Sequence, residues 1–160
     1  MNDERLGILY QQIAEVIVDA IPEEWSKVYL YGEIVDGAQT AYFYFYPEGS
    51  DTAVYSHDIP EIFTVSEIEY SEKWNELVDL IQVLWREFKD NDQEAWSNLT
   101  LVLESTGKFK IDFNYDNLSN TDPHARKTIW KYNYLGIMPK SNSGKKHLEK
   151  YLETVERENK

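Results

Sequence analysis

Two hydrophobic periods alternate along the chain and divide it into helices and strands. Leu6, Leu9, Ile13, Val16, Ile17 and Ala20 recur every three or four residues. That spacing lines one stripe of an amphipathic helix, which Asn2 or Asp3 caps and Pro22 ends. From Lys27 to Val35 and from Gln39 to Tyr46 the period falls to two, the residues are largely β-branched or aromatic, and Asp36-Gly37 stands between the runs. This arrangement predicts an antiparallel hairpin. Val28, Leu30, Ile34, Ala41, Phe43 and Phe45 then share one face, and Tyr29, Tyr31, Glu33, Tyr42, Tyr44 and Tyr46 the other. One face is apolar and the opposite face is phenolic.

Pro47 to Asp51 turns the chain into a short third strand from Ala53 to His57, before Pro60. Ser66 and Glu69 have capping-box spacing, and Tyr70, Leu77, Ile81, Leu84, Trp85 and Phe88 continue at helical period to about Lys89. Asn98 to Glu104 and Lys108 to Tyr115 form a second hairpin around Thr106-Gly107, with Leu99, Leu101 and Leu103 beside Phe109, Ile111 and Phe113. Asp122-Pro123 opens a short helix through Ile129, Trp130 and Tyr134 that Gly136 and Pro139 close. A polar connector, Lys140 to Gly144, leads to a charged last helix carrying Leu148, Leu152 and Val155 on one side.

The order α-β-β-β-α-β-β-α-α, with strands arriving in hairpins, is α+β: an antiparallel sheet of about five strands in two hairpin groups, packed with helices. Leu30, Phe43, Phe45, Leu101, Ile111 and Phe113 are expected to meet the first two long helices. At 160 residues the chain is expected to be a single domain spanning 1–160, with the segment after about 141 set apart as a charged tail.

Charge changes the picture. Residues 1–122 hold 25 Asp and Glu against 7 Lys and Arg, a net −18, while the last 38 residues are net +5. So acidic a body repels nucleic acid and anionic membrane and attracts basic surfaces. Aromatics at 14% argue against disorder, because they supply the burial that disordered chains lack. The absence of cysteine removes disulfides, thiolate metal sites and cysteine nucleophiles. The first five residues are acidic where a signal peptide is basic, and no apolar run reaches the roughly 20 residues of a membrane helix. A soluble, cytoplasmic protein is expected.

Few residues suggest catalysis. Ser56-His57-Asp58 has triad composition, but neighbours on a strand point to opposite faces and cannot form a relay. His124 falls near a helix start and His147 in a solvated tail, and three scattered histidines make no recognisable zinc site. Asp90-Asn91-Asp92 lacks the glycine and distal glutamate of a calcium loop, and no glycine spacing builds a phosphate loop. No catalytic residue, metal or cofactor is expected.

The phenolic face has two readings. It is a second core with hydroxyls at its rim, or part of it stays exposed as an interaction surface, since tyrosine supplies rigid contact area at low entropic cost. On the second reading Tyr31, Tyr44 and Tyr46 contact a partner, while Glu33, Glu48, Asp51 and Asp58 steer it in.

Several segments carry a family resemblance: Ile21-Pro22-Glu23-Glu24-Trp25 into Lys27-Val28-Tyr29-Leu30-Tyr31, Tyr44-Phe45-Tyr46-Pro47, Val54-Tyr55-Ser56-His57-Asp58-Ile59-Pro60, Gly107-Lys108-Phe109-Lys110-Ile111 with Tyr115-Asp116, and Trp130-Lys131-Tyr132-Asn133-Tyr134-Leu135-Gly136-Ile137. Over roughly residues 8 to 139 the chain resembles the YezG family of bacterial antitoxins, or immunity proteins. The resemblance implies a non-enzymatic partner of a large secreted toxin of the LXG or polymorphic type, whose C-terminal domain is frequently a nuclease. It carries over no site residues. The partner it implies is a basic toxin nuclease domain, with neither nucleic acid nor membrane bound. An acidic adaptor or chaperone for an exported protein is the alternative, and the oligomeric state stays open.

Overall fold

Asp36 and Gly37 both adopt positive φ, 51° and 81°, as a two-residue type I′ turn requires. This turn sets the register of the first hairpin, β1 (Trp25–Val35) with β2 (Ala38–Pro47), pairing Leu30 with Phe43 and Tyr31 with Tyr42. β1 is the centre of a five-stranded antiparallel sheet ordered β3-β2-β1-β4-β5, where β3 is Val54–Tyr55, β4 Asn98–Glu104 and β5 Phe109–Asn114.

The computed structural model describes residues 3–159, in two compact units that divide after Asn117. In the first unit, α1 (Asp3–Ala20) and α3 (Glu67–Asp90) supply the apolar stripes that cover one sheet face. Leu9, Ile13, Ile17, Leu77, Ile81 and Leu84 meet Val28, Leu30, Phe43, Phe45, Leu99 and Leu101 in one core, with Ile111 and Phe113 packed at its margin. The two-residue period therefore assigned the faces correctly. Asn2, one of the expected caps of α1, lies outside the described residues, and Asp3 is already helical. The Ser66 hydroxyl caps α3 by accepting from the Glu69 N–H at 3.4 Å.

The third strand is shorter than expected. It pairs with β2 only at Tyr55–Tyr44 and Val54–Phe45, after which Ser56–Asp58 coils into a 3₁₀ turn and α2 (Ile59–Phe63) follows, with Pro60 in its first turn. The outer edge of β2 would be left with unpaired backbone groups, and two side chains take the strand's place. The Ser56 hydroxyl accepts from the Phe43 N–H at 3.1 Å, and the Trp74 indole donates to the Ala41 carbonyl at 2.8 Å. Proline favours the first turn of a helix, which pulls residues 56–63 away from the extended conformation.

In the second unit Asp122 caps α4 (Pro123–Leu135), accepting from the His124 N–H at 3.0 Å, and Gly136 closes it in the left-handed conformation. The expected polar connector is shorter than Lys140 to Gly144. Ser141 caps α5 (Asn142–Glu158) by accepting from the Gly144 N–H, so the helix begins at Asn142. His147 does not stand in a solvated tail: it is half-buried, with Nε2 3.2 Å from Asp122 Oδ2 and its ring 5.3 Å from that of His124. Among the described residues no helix is long and apolar enough to cross a membrane.

Candidate functional site

The candidate site lies on the sheet face away from α1 and α3. Strand pairing arranges its side chains in rows across the sheet. One row runs Tyr42, Tyr31, Thr100, and the next runs Tyr55, Tyr44, Tyr29, Val102. Glu33 sits between Thr40 and Asn98 at one end, and Lys27 between Tyr46 and Glu104 at the other.

The phenol rings pack on one another along and between these rows. Tyr31 stacks on Tyr42 with centroids 5.3 Å apart, and Tyr44 stacks on Tyr55 at 4.9 Å. Tyr42 presents edges to both Tyr44 and Tyr55, at 6.4 and 6.1 Å. Offset and edge-on pairs of this kind each contribute on the order of 1 kcal/mol beyond their burial. Tyr55 was not among the expected site residues, and strand alternation alone cannot find it, because its place beside Tyr44 depends on the β2–β3 register.

Of the seven residues singled out from sequence, three are buried: Tyr31 at 5%, Tyr44 at 6% and Glu33 at 8% exposure. The Tyr31 hydroxyl donates to Glu33 Oε1 at 2.9 Å, which gives the buried carboxylate a hydrogen-bond partner. Tyr46 is half-buried, and Glu48, Asp51 and Asp58 are exposed. The centre of the face is thus a second buried layer; of the accessible members, Tyr46, Glu48 and Asp51 lie at the end of β2, whereas Asp58 follows β3 past Tyr44 and acts on Tyr44 and Tyr55. Glu33 lies six residues from Lys27 along β1, roughly 20 Å away at the strand rise. It cannot rim the same patch as Tyr46.

The exposed acids still act on the phenols. Burial raises the Tyr44 hydroxyl well above the ordinary phenol range, and the charges of Tyr55 and Asp58 raise it further. Tyr55 is pushed up to about 12 by burial, Tyr70 and Asp58. Tyr46 is raised by burial and by Tyr29 and Asp51, against the opposing pull of Lys27. These hydroxyls remain neutral hydrogen-bond donors at physiological pH.

Ser56, His57 and Asp58 do not form a relay, for a different reason than their expected strand placement. On the 3₁₀ turn Ser56 is fully buried and its hydroxyl holds the Phe43 N–H, whereas His57 Nδ1 lies 2.8 Å from the Tyr70 hydroxyl. The His57 ring packs among Tyr55, Tyr70 and Trp74. Among the described residues no group of three His, Cys, Asp or Glu side chains is placed to hold a metal ion.

Comparison with known proteins places this geometry in context. The family model described as "Immunity protein YezG-like" matches residues 6–149, which carries the resemblance past 139 and into α5. The chain is similar to Immunity protein YezG of Bacillus spizizenii, 44% identical over 98% of both chains. It is 38% identical to Immunity protein YezG of Bacillus subtilis, over 90% of this chain and 97% of that one. It is also 31% identical to Type VII secretion system protein EsaG of Staphylococcus aureus, over 96% and 98%. This chain, an α+β fold with a tyrosine-lined sheet face, matched over residues 6–149, belongs to the YezG-like immunity protein family.

Proposed function

We propose that this protein protects its cell by binding and neutralising the nuclease domain of a secreted bacterial toxin, as a stoichiometric inhibitor in the cytoplasm and without catalysis of its own. The observation that carries the reading is the charge of residues 1–122, net −18, in a chain of this family. A nuclease needs a cationic surface to hold phosphate, and an acidic protein satisfies that surface while excluding nucleic acid. The secretion-system name of the Staphylococcus relative supports an exported partner. The family match runs through both compact units, which supports treating 1–160 as one functional domain.

The contact surface we assign comprises Tyr46, Glu48, Asp51 and Asp58, with Tyr31, Glu33 and Tyr44 as the buried support of the same sheet face. The exposed acids govern approach and the half-buried phenol governs retention. Co-purification with a toxin C-terminal fragment, followed by a DNA-cleavage assay, tests the reading. One-to-one inhibition of cleavage is expected. A complex that leaves cleavage intact would instead establish the adaptor alternative.

A further inference from the structure

β5 is the open edge of the sheet. Among the described residues it ladders only with β4, on one side. The Glu104 N–H donates to the Lys108 carbonyl, so Lys108 faces β4, and by the two-residue repeat of an antiparallel ladder Lys110 and Asp112 do too. The N–H and C=O groups of Phe109, Ile111 and Phe113 therefore point away from the sheet. Their side chains share the helix-covered face with Leu99, Leu101 and Leu103, yet burial stops at β4. Those leucines are 1–6% exposed, whereas Phe109 is 52% exposed and Ile111 and Phe113 are half-buried.

We propose that this edge is a self-association surface on which a second copy of the chain adds its own β5, antiparallel and centred on Ile111, to give a continuous ten-stranded sheet. The sequence of the edge is self-complementary in that register. Ile111 meets Ile111 of the second copy, Phe109 meets Phe113 on the helix-covered face, and on the opposite face Lys110 meets Asp112 twice over. Natural edges are commonly blunted by like charges that repel a second strand. Here Lys110 and Asp112 alternate, 3.5 Å apart and largely exposed within one strand, so antiparallel pairing brings opposite charges together. Local charge at this edge does not share the net −18 of the body: the segment 108–114 holds two lysines and one aspartate, and Lys27 joins Glu104 in lining the groove of about 420 Å³ beside them. A two-fold isologous contact of this kind closes at the dimer and leaves no free β5 edge for further growth.

The proposal does not depend on the immunity reading, because its test needs only the purified full-length chain. Sedimentation velocity over a concentration series is expected to show a monomer–dimer equilibrium. Lys110→Asp and Asp112→Lys, both at exposed positions, are each expected to weaken the dimer about tenfold or more by opposing like charges across the strand pair. The double exchange Lys110→Asp/Asp112→Lys is expected to restore it, which separates pairing from damage to the fold. A wild-type chain that stays monomeric at every soluble concentration overturns the proposal. So does a dimer indifferent to the single reversals, one that the double exchange fails to restore, or an edge that pairs only when a toxin fragment is added.

Discussion

Three polar side chains in the first unit show how much depends on a single hydrogen bond. Ser56 and Trp74 each satisfy a backbone group on the outer edge of β2, while the fully buried Trp96 indole N–H finds no acceptor among the described residues. A buried group left unpaired costs about 1–3 kcal/mol, and removing an already unpaired one returns part of that. Ser56→Ala and Trp74→Phe, which orphan Phe43 N–H and Ala41 C=O, are therefore expected to destabilise by roughly that amount. Trp96→Phe opens a small cavity but removes an unmet donor, so chemical denaturation should find it the mildest of the three. The residue scale also revises what a mutation at Tyr44 reports. Truncating so buried an aromatic is expected to cost about 3–5 kcal/mol in stability, so loss of binding in Tyr44→Ala would not by itself mark a contact.

Among the elements, two helical glycines separate local propensity from packing. Gly7 in α1 has open space where a Cβ would be built, whereas a Cβ on Gly144 in α5 would lie 2.8 Å from Pro139 Cβ and 2.9 Å from Ser141 Oγ. Alanine at an exposed helix interior gains about 0.5–1 kcal/mol over glycine. Gly7→Ala is thus expected to raise the denaturation midpoint. Gly144→Ala meets a proline ring that cannot rotate aside and the hydroxyl that caps its own N–H, so strain on the order of 1–3 kcal/mol outweighs the gain. Loss of hydrogen-exchange protection across residues 142–158 would register it, and unchanged protection there would contradict the clash. Neither effect is visible in the sequence, where the glycines differ only in their neighbours.

Across the whole molecule, charge sets the approach of a partner. Glu48 and Asp51 are exposed just after the half-buried Tyr46 and Asp58 is exposed near Tyr44 and Tyr55, so these rather than Glu33 are the positions to reverse; a lysine at the buried Glu33 would threaten the fold. With a cognate toxin domain in hand, Glu48→Lys and Asp51→Lys are expected to slow association several-fold at low salt and little at high salt, because rim charges act through a screened field. Tyr46→Ala is expected to speed dissociation at every salt concentration, on the order of 2 kcal/mol if its ring is a central contact. Stopped-flow association and dissociation rates across a salt series distinguish the two. Should all three variants bind like wild type, the interface lies elsewhere, for which the acidic groove of α1 and α3 lined by Glu15, Asp19 and Glu76 is the next candidate.

What the sequence determined by itself was local and periodic. The two-residue alternation put Phe43 and Phe45 in the core and Tyr42 and Tyr44 opposite them, because a strand has only two faces and one must be buried. Asp36-Gly37, Ser66 and Asp122 marked a turn and two helix starts because each answers a backbone demand within a few residues. Tertiary structure decided whatever depended on distant partners. β3 stops at Tyr55, where Pro60 turns the chain helical, and the edge that a longer strand would have paired is satisfied instead by Ser56 and by Trp74, the latter 33 residues from the carbonyl it holds. Tyr31, Glu33 and Tyr44 are buried while Tyr46 and its neighbouring acids are not, although alternation treats Tyr31, Glu33, Tyr44 and Tyr46 alike. Alternation fixes which face a side chain takes; how much water reaches it depends on packing that no local pattern encodes.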